Sequence, residues 1–542
     1  MNNTYDYVIV GSGSAGCVLA FRLTEDPSVK VLLLEAGGSS DAFFIKMPSG
    51  YGKIIGDPRY DWCYNSGPEP HIHKRELFTP RGKVIGGSSS INGMAYVRGH
   101  RNDFDQWHRS GNTGWSWDQV LPLFGKIENY HGEFTNNRST TGRMHVSVID
   151  PHPLSARIIE AAEQAGLPAG GDYNCGDPNG LGLMQMNKWH GKRFSSEAAY
   201  LKPAMERPNL TLISGAEVSR VVLEGRVAVG VEYLHQGLKA TARAREEVIL
   251  AAGAINSPKL LQLSGIGAPD RLAAAGVPVV HALPGVGENL QDHYNIGIQL
   301  PLKNVGSINE QMRGFRLIFN GIRYLFTGGG ILGNSPAQVT GYSRVMEDAD
   351  SADIQLWGMP GSVRVVRGGK GENKLVMDST PGVSLSFTQN RPASRGHVHI
   401  KTSDPQAKPE IVNNYLSEQL DQRVAVRGLR LIRKILEQPA FDGIRAGTAG
   451  PDEAFAHDDA LLDYARKNGR SSYHLAGTCR MGHSVDAVVD HELRVHGLDR
   501  LRVIDSSIMP TIVSANTHAA TMMIAEKGAE LLLKTRRETR SV

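Results

Sequence analysis

The strongest constraint on this chain lies near its start, where an apolar run, a glycine-rich turn and a second apolar run follow one another. The run Tyr5–Val10 passes directly into GSGSAG, and the second run, VLLLE, ends at Glu35. This order predicts a strand, a tight turn, a helix and a parallel strand that ends in an acid. Gly11 permits the turn, Gly13 lets a diphosphate approach the backbone, and Gly16 lets the helix pack close to the strand. The pattern predicts a dinucleotide site in which Glu35 accepts hydrogen bonds from a ribose.

The turn does not by itself identify the dinucleotide, because enzymes that use FAD and enzymes that use NAD both place it next to their first strand. In either case the N-terminus of the predicted helix would offer unpaired N–H groups and the positive end of its dipole to the pyrophosphate. A glycine-rich turn in some other α/β protein is the alternative without a nucleotide.

Length and composition limit the possible classes of protein. The chain has 542 residues, more than one hydrophobic core usually supports, so we expect two domains or one large discontinuous domain. It is 40% apolar and 21% charged, as in an ordinary globular protein. The formal net charge is only +4 and there is no long basic block, which argues against nucleic acid as a partner.

The cysteines and the apolar runs predict a location. Cys17, Cys63, Cys175 and Cys479 are far apart and form no CxxC pair, which favours reduced thiols and predicts neither a disulfide framework nor a metal site. The first strand begins almost at Met1, which argues against a signal peptide, and no run of about 18 apolar residues could span a membrane. We therefore expect a cytoplasmic enzyme without an integral membrane segment. Membrane-surface association and the choice between monomer and homo-oligomer stay open.

The remaining pattern predicts an α/β fold with an inserted α+β part. The buried run Glu247–Ala251 is followed by another small-residue turn and a helix, as in a Rossmann-like sheet. We expect a nucleotide-binding domain over residues 1–300, a substrate-binding domain with an antiparallel sheet over 301–465, and a C-terminal return to the first domain over 466–542.

Four blocks of sequence together resemble the glucose–methanol–choline (GMC) family of FAD-dependent oxidoreductases, in particular its bacterial branch of choline-dehydrogenase-like and alcohol dehydrogenases. The resemblance covers nearly the whole chain, and four blocks in the same order are far more specific than any one of them. The blocks are GSGSAG with Glu35-Ala36-Gly37, GKVIGGSSSINGMAYVRG at Gly82–Gly99, GAINSPKLLQLSGIG at Gly253–Gly267, and SYHLAGTCRMG with NTHAATMMIAEK at Ser471–Lys527.

The resemblance implies that the dinucleotide is FAD. The residues that it assigns to the cofactor are Gly11, Gly13, Ser14, Ala15, Gly16, Glu35, Ala36, Trp62, Ser89, Ser90, Asn92, Gly93, Met94, Ala95, Val218, Asp505, Asn516 and Thr517. Members that bond FAD covalently in this loop have a histidine just before the asparagine. Ile91 occupies that position here, so the resemblance implies that FAD is bound without a covalent bond.

The resemblance also implies a catalytic pair, His474 and His518, which are 44 residues apart. Oxidation of an alcohol removes a hydroxyl proton and a hydride. A hydroxyl pKa near 15.7 is about 9 units above that of imidazole, so a lone histidine cannot form a free alkoxide cheaply. Two polar groups at one substrate oxygen would meet that need. By resemblance, His474 accepts the proton while the hydride moves to flavin N5, and His518 orients the same oxygen.

We therefore expect FAD-dependent oxidation of a primary, non-sugar alcohol, aromatic or choline-like, with O₂ or a quinone as electron acceptor. Tyr473, Asn334 and Gln338 are candidates for contact with the substrate. The leading alternative is a hydroxynitrile lyase of the same family, which keeps FAD but performs no redox chemistry. A fatty-acid photodecarboxylase and an NAD-dependent dehydrogenase are further alternatives.

Overall fold

The computed structural model describes residues 4–133, 137–174, 178–367 and 373–540. Its centre is a seven-stranded sheet, here called the nucleotide sheet. Five of its strands form a parallel part in the order Leu210–Ser214, Val31–Glu35, Thr4–Val10, Leu238–Leu250 and Leu501–Val503. The N-terminal half of Leu238–Leu250 continues into an antiparallel meander with Val227–His235 and Ala216–Glu224. The sequence pattern predicts only the buried C-terminal end of that long strand.

The glycine turn has the predicted backbone geometry. Gly11 has a φ of +99°, a left-handed value that side chains disfavour. A Cβ on Gly16 would lie 1.9 Å from the carbonyl oxygen of Gly11, so only glycine lets the first helix, Ser14–Leu23, pack this close to the turn. The strand–turn–helix prediction is confirmed.

A second sheet of six strands is antiparallel throughout, and we call it the antiparallel sheet. Its strands, in sheet order, are Arg470–Ser471, Tyr294–Pro301, Gly382–Gln389, Ile354–Met359, Val339–Ser343 and Gly180–Leu183. The predicted antiparallel sheet therefore exists, but it takes strands from both sides of residues 301–465. The three domain boundaries themselves stay a prediction.

Helices cover both sheets. Gln419–Leu436 packs on the antiparallel sheet, and the last helix, Thr517–Arg540, packs along the first helix beside the nucleotide sheet. No helix among the described residues is long and apolar enough to cross a membrane. The longer helices are Ser14–Leu23, Arg101–Arg109, Trp117–Ile127, Pro153–Gln164, Gly253–Leu263, Gly314–Thr327, Gln419–Leu436, Asp458–Asn468 and Thr517–Arg540.

Each sheet has its own hydrophobic core. The nucleotide-sheet core includes Cys17 and Cys479, which are free thiols, and Cys63 is partly buried. Cys175 lies outside the described residues. The two sheets meet at the C-terminal segment, because Arg470–Ser471 pairs in the antiparallel sheet and Leu501–Val503 pairs in the nucleotide sheet. Residues between these strands are therefore held at the boundary between the two cores.

Candidate active site

The glycine turn lies against a second glycine-rich loop, and together they form a cradle. The N–H of Gly86 donates to the carbonyl oxygen of Ser12 at 2.9 Å. A Cβ on Gly87 would lie 2.7 Å from the Cα of Gly13. No side chain caps the first helix at Gly13, and no atom lies within 4 Å of where Gly93 would carry a Cβ. An uncapped helix N-terminus beside this close backbone approach and the open space at Gly93 fits a phosphate-bearing ligand.

Glu35 is buried and its carboxylate is held in one orientation. One oxygen accepts the N–H and the hydroxyl of Ser12 at 2.9 and 2.8 Å, and the other accepts the N–H of Gly37 at 2.7 Å. Burial raises the pKa of Glu35 from its usual value, and these hydrogen bonds oppose that shift. A carboxylate offers about four acceptor positions, so room for one more donor remains. This fits the predicted contact with a ribose hydroxyl.

Asp505 joins the C-terminal segment to a second helix N-terminus. Its carboxylate accepts the N–H of Gly253 at 2.8 Å, the hydroxyl of Ser257 at 2.6 Å and the N–H of Ser507 at 2.8 Å. The third sequence block is therefore in direct contact with Asp505, a predicted cofactor residue of the fourth block. The carbonyl of Ala251 lies within 4 Å of the Cβ positions of Gly11 and Gly13, so this junction adjoins the glycine turn.

In the loop around Ser89, several polar side chains form hydrogen bonds that stabilise the loop itself. The hydroxyls of Ser89 and Ser90 donate to the backbone carbonyls of Gly86 and Ile85 at 2.6 and 2.8 Å. The amide oxygen of Asn92 accepts Arg193 at 2.7 Å and the N–H of Met94 at 3.0 Å. The other predicted cofactor residues lie in the same region or its supporting strands: Ala15, Met94, Ala95 and Val218 are buried, Ala36 is partly buried, and Trp62 stacks on Tyr64 with ring centroids 5.9 Å apart.

His474 lies at the boundary of the two cores and is 9% exposed. Two adjacent residues hold it: the Asp292 carboxylate accepts its backbone N–H at 2.7 Å, and Nδ1 of His293 lies 2.9 Å from its own Nδ1. On its other side, Nε2 of His474 lies 2.9 Å from the amide nitrogen of Asn516. Both ring nitrogens of His474 therefore have a hydrogen-bond partner, which fixes the orientation of the imidazole.

The hydrogen bonds of His293 decide which nitrogen of His474 carries the proton. Nε2 of His293 lies 3.0 Å from the carbonyl oxygen of Asn390, which only accepts, so this nitrogen must be protonated. In the neutral ring, Nδ1 of His293 then accepts, and Nδ1 of His474 donates to it. Nε2 of His474 then carries no proton, and its lone pair accepts the amide N–H of Asn516. The chain of contacts thus prepares Nε2 of His474 as a base.

Burial keeps these rings neutral. It lowers the pKa of the fully buried His293 to about 4. Burial, the neighbouring His293 and the Arg81 guanidinium lower the pKa of His474 well below its usual value of 6.5. Both side chains are therefore uncharged at neutral pH, as the assignment of protons requires.

His518 contacts the first helix. Its Nδ1 lies 2.9 Å from the hydroxyl of Ser14, the first residue of the first helix. Burial, together with the Arg193 guanidinium, lowers the pKa of His518 to about 4. The group that contacts Nε2 of His474 is Asn516, which the sequence analysis assigned only to the cofactor. The joint action of His474 and His518 on one substrate oxygen stays a prediction, and the structure adds Asn516, the residue before the last helix begins at Thr517, as a direct contact of His474.

The three candidate substrate residues differ in their surroundings. Tyr473 adjoins His474, is partly exposed and has a left-handed backbone with a φ of +65°. Asn334 and Gln338 are buried and bonded within the protein. The Asn334 amide oxygen accepts Lys188 at 2.8 Å, and the Gln338 amide oxygen accepts the N–H of His152 at 2.7 Å. The side chains of Asn334 and Gln338 hold loops together, and contact of the three residues with the substrate stays a prediction.

Comparison with known proteins identifies the family and the fold of this chain. Two GMC oxidoreductase family models, one N-terminal and one C-terminal, match residues 5–295 and 392–525. The chain is 39% identical to an oxygen-dependent choline dehydrogenase from Photobacterium profundum, over 98% of this chain and 94% of the relative. It is 38% identical to an alcohol dehydrogenase [acceptor] from Pseudomonas putida, over 98% and 96%. The solved structure of pyridoxine 4-oxidase from Mesorbium loti is similar with a TM-score of 0.86 at 31% identity, over 97% of this chain and 98% of that one.

Proposed function

Because the chain belongs to the GMC oxidoreductase family, we propose that it uses FAD to oxidise a primary, non-sugar alcohol to the aldehyde. The observation that carries this proposal is the buried His474 whose Nε2 has a free lone pair and faces Asn516. The named relatives support the substrate class, since one acts on choline, which is itself a primary alcohol. The partners would be a small alcohol and an electron acceptor, either O₂ or a quinone.

The residues of the cradle fit FAD. The glycine turn and the uncapped first helix would hold the pyrophosphate, Glu35 the adenosine ribose, and the loop with Asn92 and Gly93 the region of the flavin. When bound, FAD supplies the hydride acceptor, N5 of its flavin ring. The Ser14–His518 contact lies at the helix N-terminus, so we assign His518 to the pyrophosphate side of this site.

His474 and Asn516 would act together on the substrate hydroxyl. Nε2 of His474 takes the proton, while Nδ1–H stays bonded to His293. The N–H of Asn516 donates to the same oxygen and stabilises the negative charge that develops on it. This second donor is needed because the hydroxyl and imidazole pKa values differ by about 9 units. A positioned base contributes typically 10²–10⁴-fold, and a preorganised donor at the charged oxygen about 10²–10³-fold.

The proposal is tested by adding alcohols to the purified yellow protein under nitrogen. A panel of aliphatic, aromatic, amino and furan alcohols is expected to contain at least one that bleaches the flavin absorbance and yields its aldehyde. Repeating the screen in air and with a quinone-like dye separates O₂ from a quinone as acceptor. A lyase of this family would convert a cyanohydrin while its flavin remained oxidised, and that result would contradict the proposal.

The rate of flavin reduction is expected to stay constant as the pH falls through 6.5. His474 must be neutral to accept the proton, and its lowered pKa keeps it neutral at pH values where an ordinary histidine is charged. The acid limb of the rate profile therefore lies below 6.5. Stopped-flow measurement of anaerobic reduction across the pH range tests this, and a decline centred at or above 6.5 would show that the base is not buried as described.

FAD is expected to be released when the protein is precipitated with acid. Ile91 occupies the position before Asn92, is 3% exposed, and packs in an apolar cluster with Ile45, Ile54 and Val84. An isoleucine side chain cannot form a bond to the flavin. The yellow colour should therefore appear in the supernatant, where absorbance spectra and mass spectrometry identify it as FAD; colour that stays in the pellet would indicate a covalent bond.

We also propose a cytoplasmic location. Cys17 and Cys479 are free thiols, which is usual in a reducing compartment. Fractionation of the native cells, with detection by antibody, tests this location.

A further inference from the structure

One helix of this protein presents its apolar side to solvent. In Gly314–Thr327, the positions 315, 318, 319, 322 and 326 follow helical spacing and form one stripe of Phe and Ile side chains, all exposed. Phe315 is 90% exposed and Phe326 is 86% exposed. The residues that this helix buries against the protein are Asn320 and Tyr324. This is the reverse of the usual amphipathic arrangement, in which the apolar face packs on the core.

The side of this helix opposite the stripe contacts a phenylalanine from another segment. Phe43 and Phe44 are about half exposed, and the Phe43 ring lies edge-on to Tyr324 with centroids 6.3 Å apart. Leu325 extends the stripe on its other side. We call the stripe together with Leu325 the apolar patch. Isolated exposed apolar residues are common, but a continuous patch of this kind marks an interaction surface.

The charges beside the apolar patch are positive. The segment 312–333 contains three arginines and no acidic residue. By helical spacing Arg316 and Arg323 lie along one flank of the stripe, and both are exposed. Neither forms an ion pair with a carboxylate among the described residues, whereas Arg313 donates to the carbonyl of Met377 at 2.7 Å. An apolar stripe of aromatic and aliphatic residues with arginines at its edge is typical of helices that lie in a membrane interface.

We propose that the apolar patch docks this protein on the surface of a membrane that contains anionic lipids. The helix has 14 residues, too few to span a bilayer, so it would lie in the plane of the interface. Phe and Ile side chains would enter the acyl boundary, and Arg316 and Arg323 would contact lipid phosphates. A second copy of the chain is the less suitable occupant, because a two-fold interface through this face would oppose the arginines of one copy to those of the other.

The test is sedimentation of the FAD-loaded protein with vesicles of phosphatidylcholine, alone or mixed with an equal part of phosphatidylglycerol. We expect the wild type to bind the mixed vesicles more strongly and to be released by high salt. The triple variant F315S/F319S/F326S should lose binding to both vesicles by on the order of tenfold or more. The variant R316Q/R323Q should lose roughly fivefold per arginine on mixed vesicles only.

The matched control is L238S/V485S, which removes apolar side chains that are 73% and 88% exposed outside the apolar patch. It should bind vesicles as the wild type does. Circular dichroism and the FAD content of every variant establish that it is folded. The proposal is overturned if the triple variant binds as the wild type does. It is equally overturned if the wild type ignores vesicles and light scattering shows a dimer that the triple variant loses, since a second copy then covers the patch.

Discussion

Replacement of His474 by alanine is expected to slow flavin reduction by the alcohol substrate about 10²–10⁴-fold under nitrogen. This corresponds to roughly 3–5 kcal/mol of transition-state stabilisation at 1.36 kcal/mol per tenfold. The loss follows from removing the imidazole whose Nε2 is kept unprotonated by the contact of His474 with His293 and of His293 with the Asn390 carbonyl. Rapid mixing of the variant with substrate, followed at the flavin absorbance, gives the rate constant.

The control for this variant is His71→Ala, because His71 is an exposed histidine for which the structure gives no hydrogen bond to a site residue. It should reduce its flavin at the wild-type rate. The FAD content of the His474→Ala protein should also equal that of the wild type, since the described contacts of His474 are to protein residues outside the cradle. A His474→Ala protein that bleaches as fast as the wild type would remove His474 from the mechanism.

Replacement of Asn516 by alanine is expected to slow flavin reduction about 10²–10³-fold, the usual cost of losing one donor at a developing oxyanion. The effect should appear in the rate constant of reduction at saturating substrate, because the donor matters most when the oxygen carries negative charge. The flavin spectrum before mixing should show full loading with FAD. Stopped-flow titration with substrate separates the rate constant from the apparent affinity.

His518→Ala is the matched comparison, since His518 and Asn516 both lie at the start of the last helix. Its ring contacts Ser14 at the first helix, so its loss should weaken FAD binding by about fivefold, one neutral hydrogen bond, and leave the reduction rate of the loaded enzyme nearly unchanged. Equilibrium dialysis of FAD measures the first quantity. If His518→Ala slowed reduction and Asn516→Ala did not, His518 and not Asn516 would be the group that acts with His474 on the substrate oxygen.

The sequence predicts the elements that local rules determine. The glycine turn is an example, because Gly11 needs a left-handed φ and Gly16 has no space for a Cβ. Strand partners far apart in the chain are harder. The antiparallel sheet includes Arg470–Ser471 and Gly180–Leu183, which are too short to show an alternating pattern. The N-terminal half of Leu238–Leu250 is not predicted from the sequence, because it is mostly exposed. It is held as a strand by pairing in the meander and not by a continuous apolar run.

In the candidate site, too, contacts between residues far apart in the chain could not be predicted from the sequence. His474 could be predicted from its sequence block, but spacing cannot decide whether Asn516 or His518 turns towards it, since the two are only two residues apart at the start of one helix. His293 was missed altogether. It is a single histidine, 181 residues from His474, and no motif connects them. Its role depends on a carbonyl, that of Asn390, and backbone carbonyls carry no sequence signal.

The most direct measurement of the central claim is the protonation of the two nitrogens of the His474 ring in the FAD-loaded protein. Nitrogen-15 NMR of histidine-labelled protein, with His474→Gln to assign the signals, reports each nitrogen separately. We predict a neutral ring with the proton on Nδ1 and a free lone pair on Nε2, unchanged from about pH 6 to 8. A ring that is charged in this range, or that carries its proton on Nε2, would contradict the account.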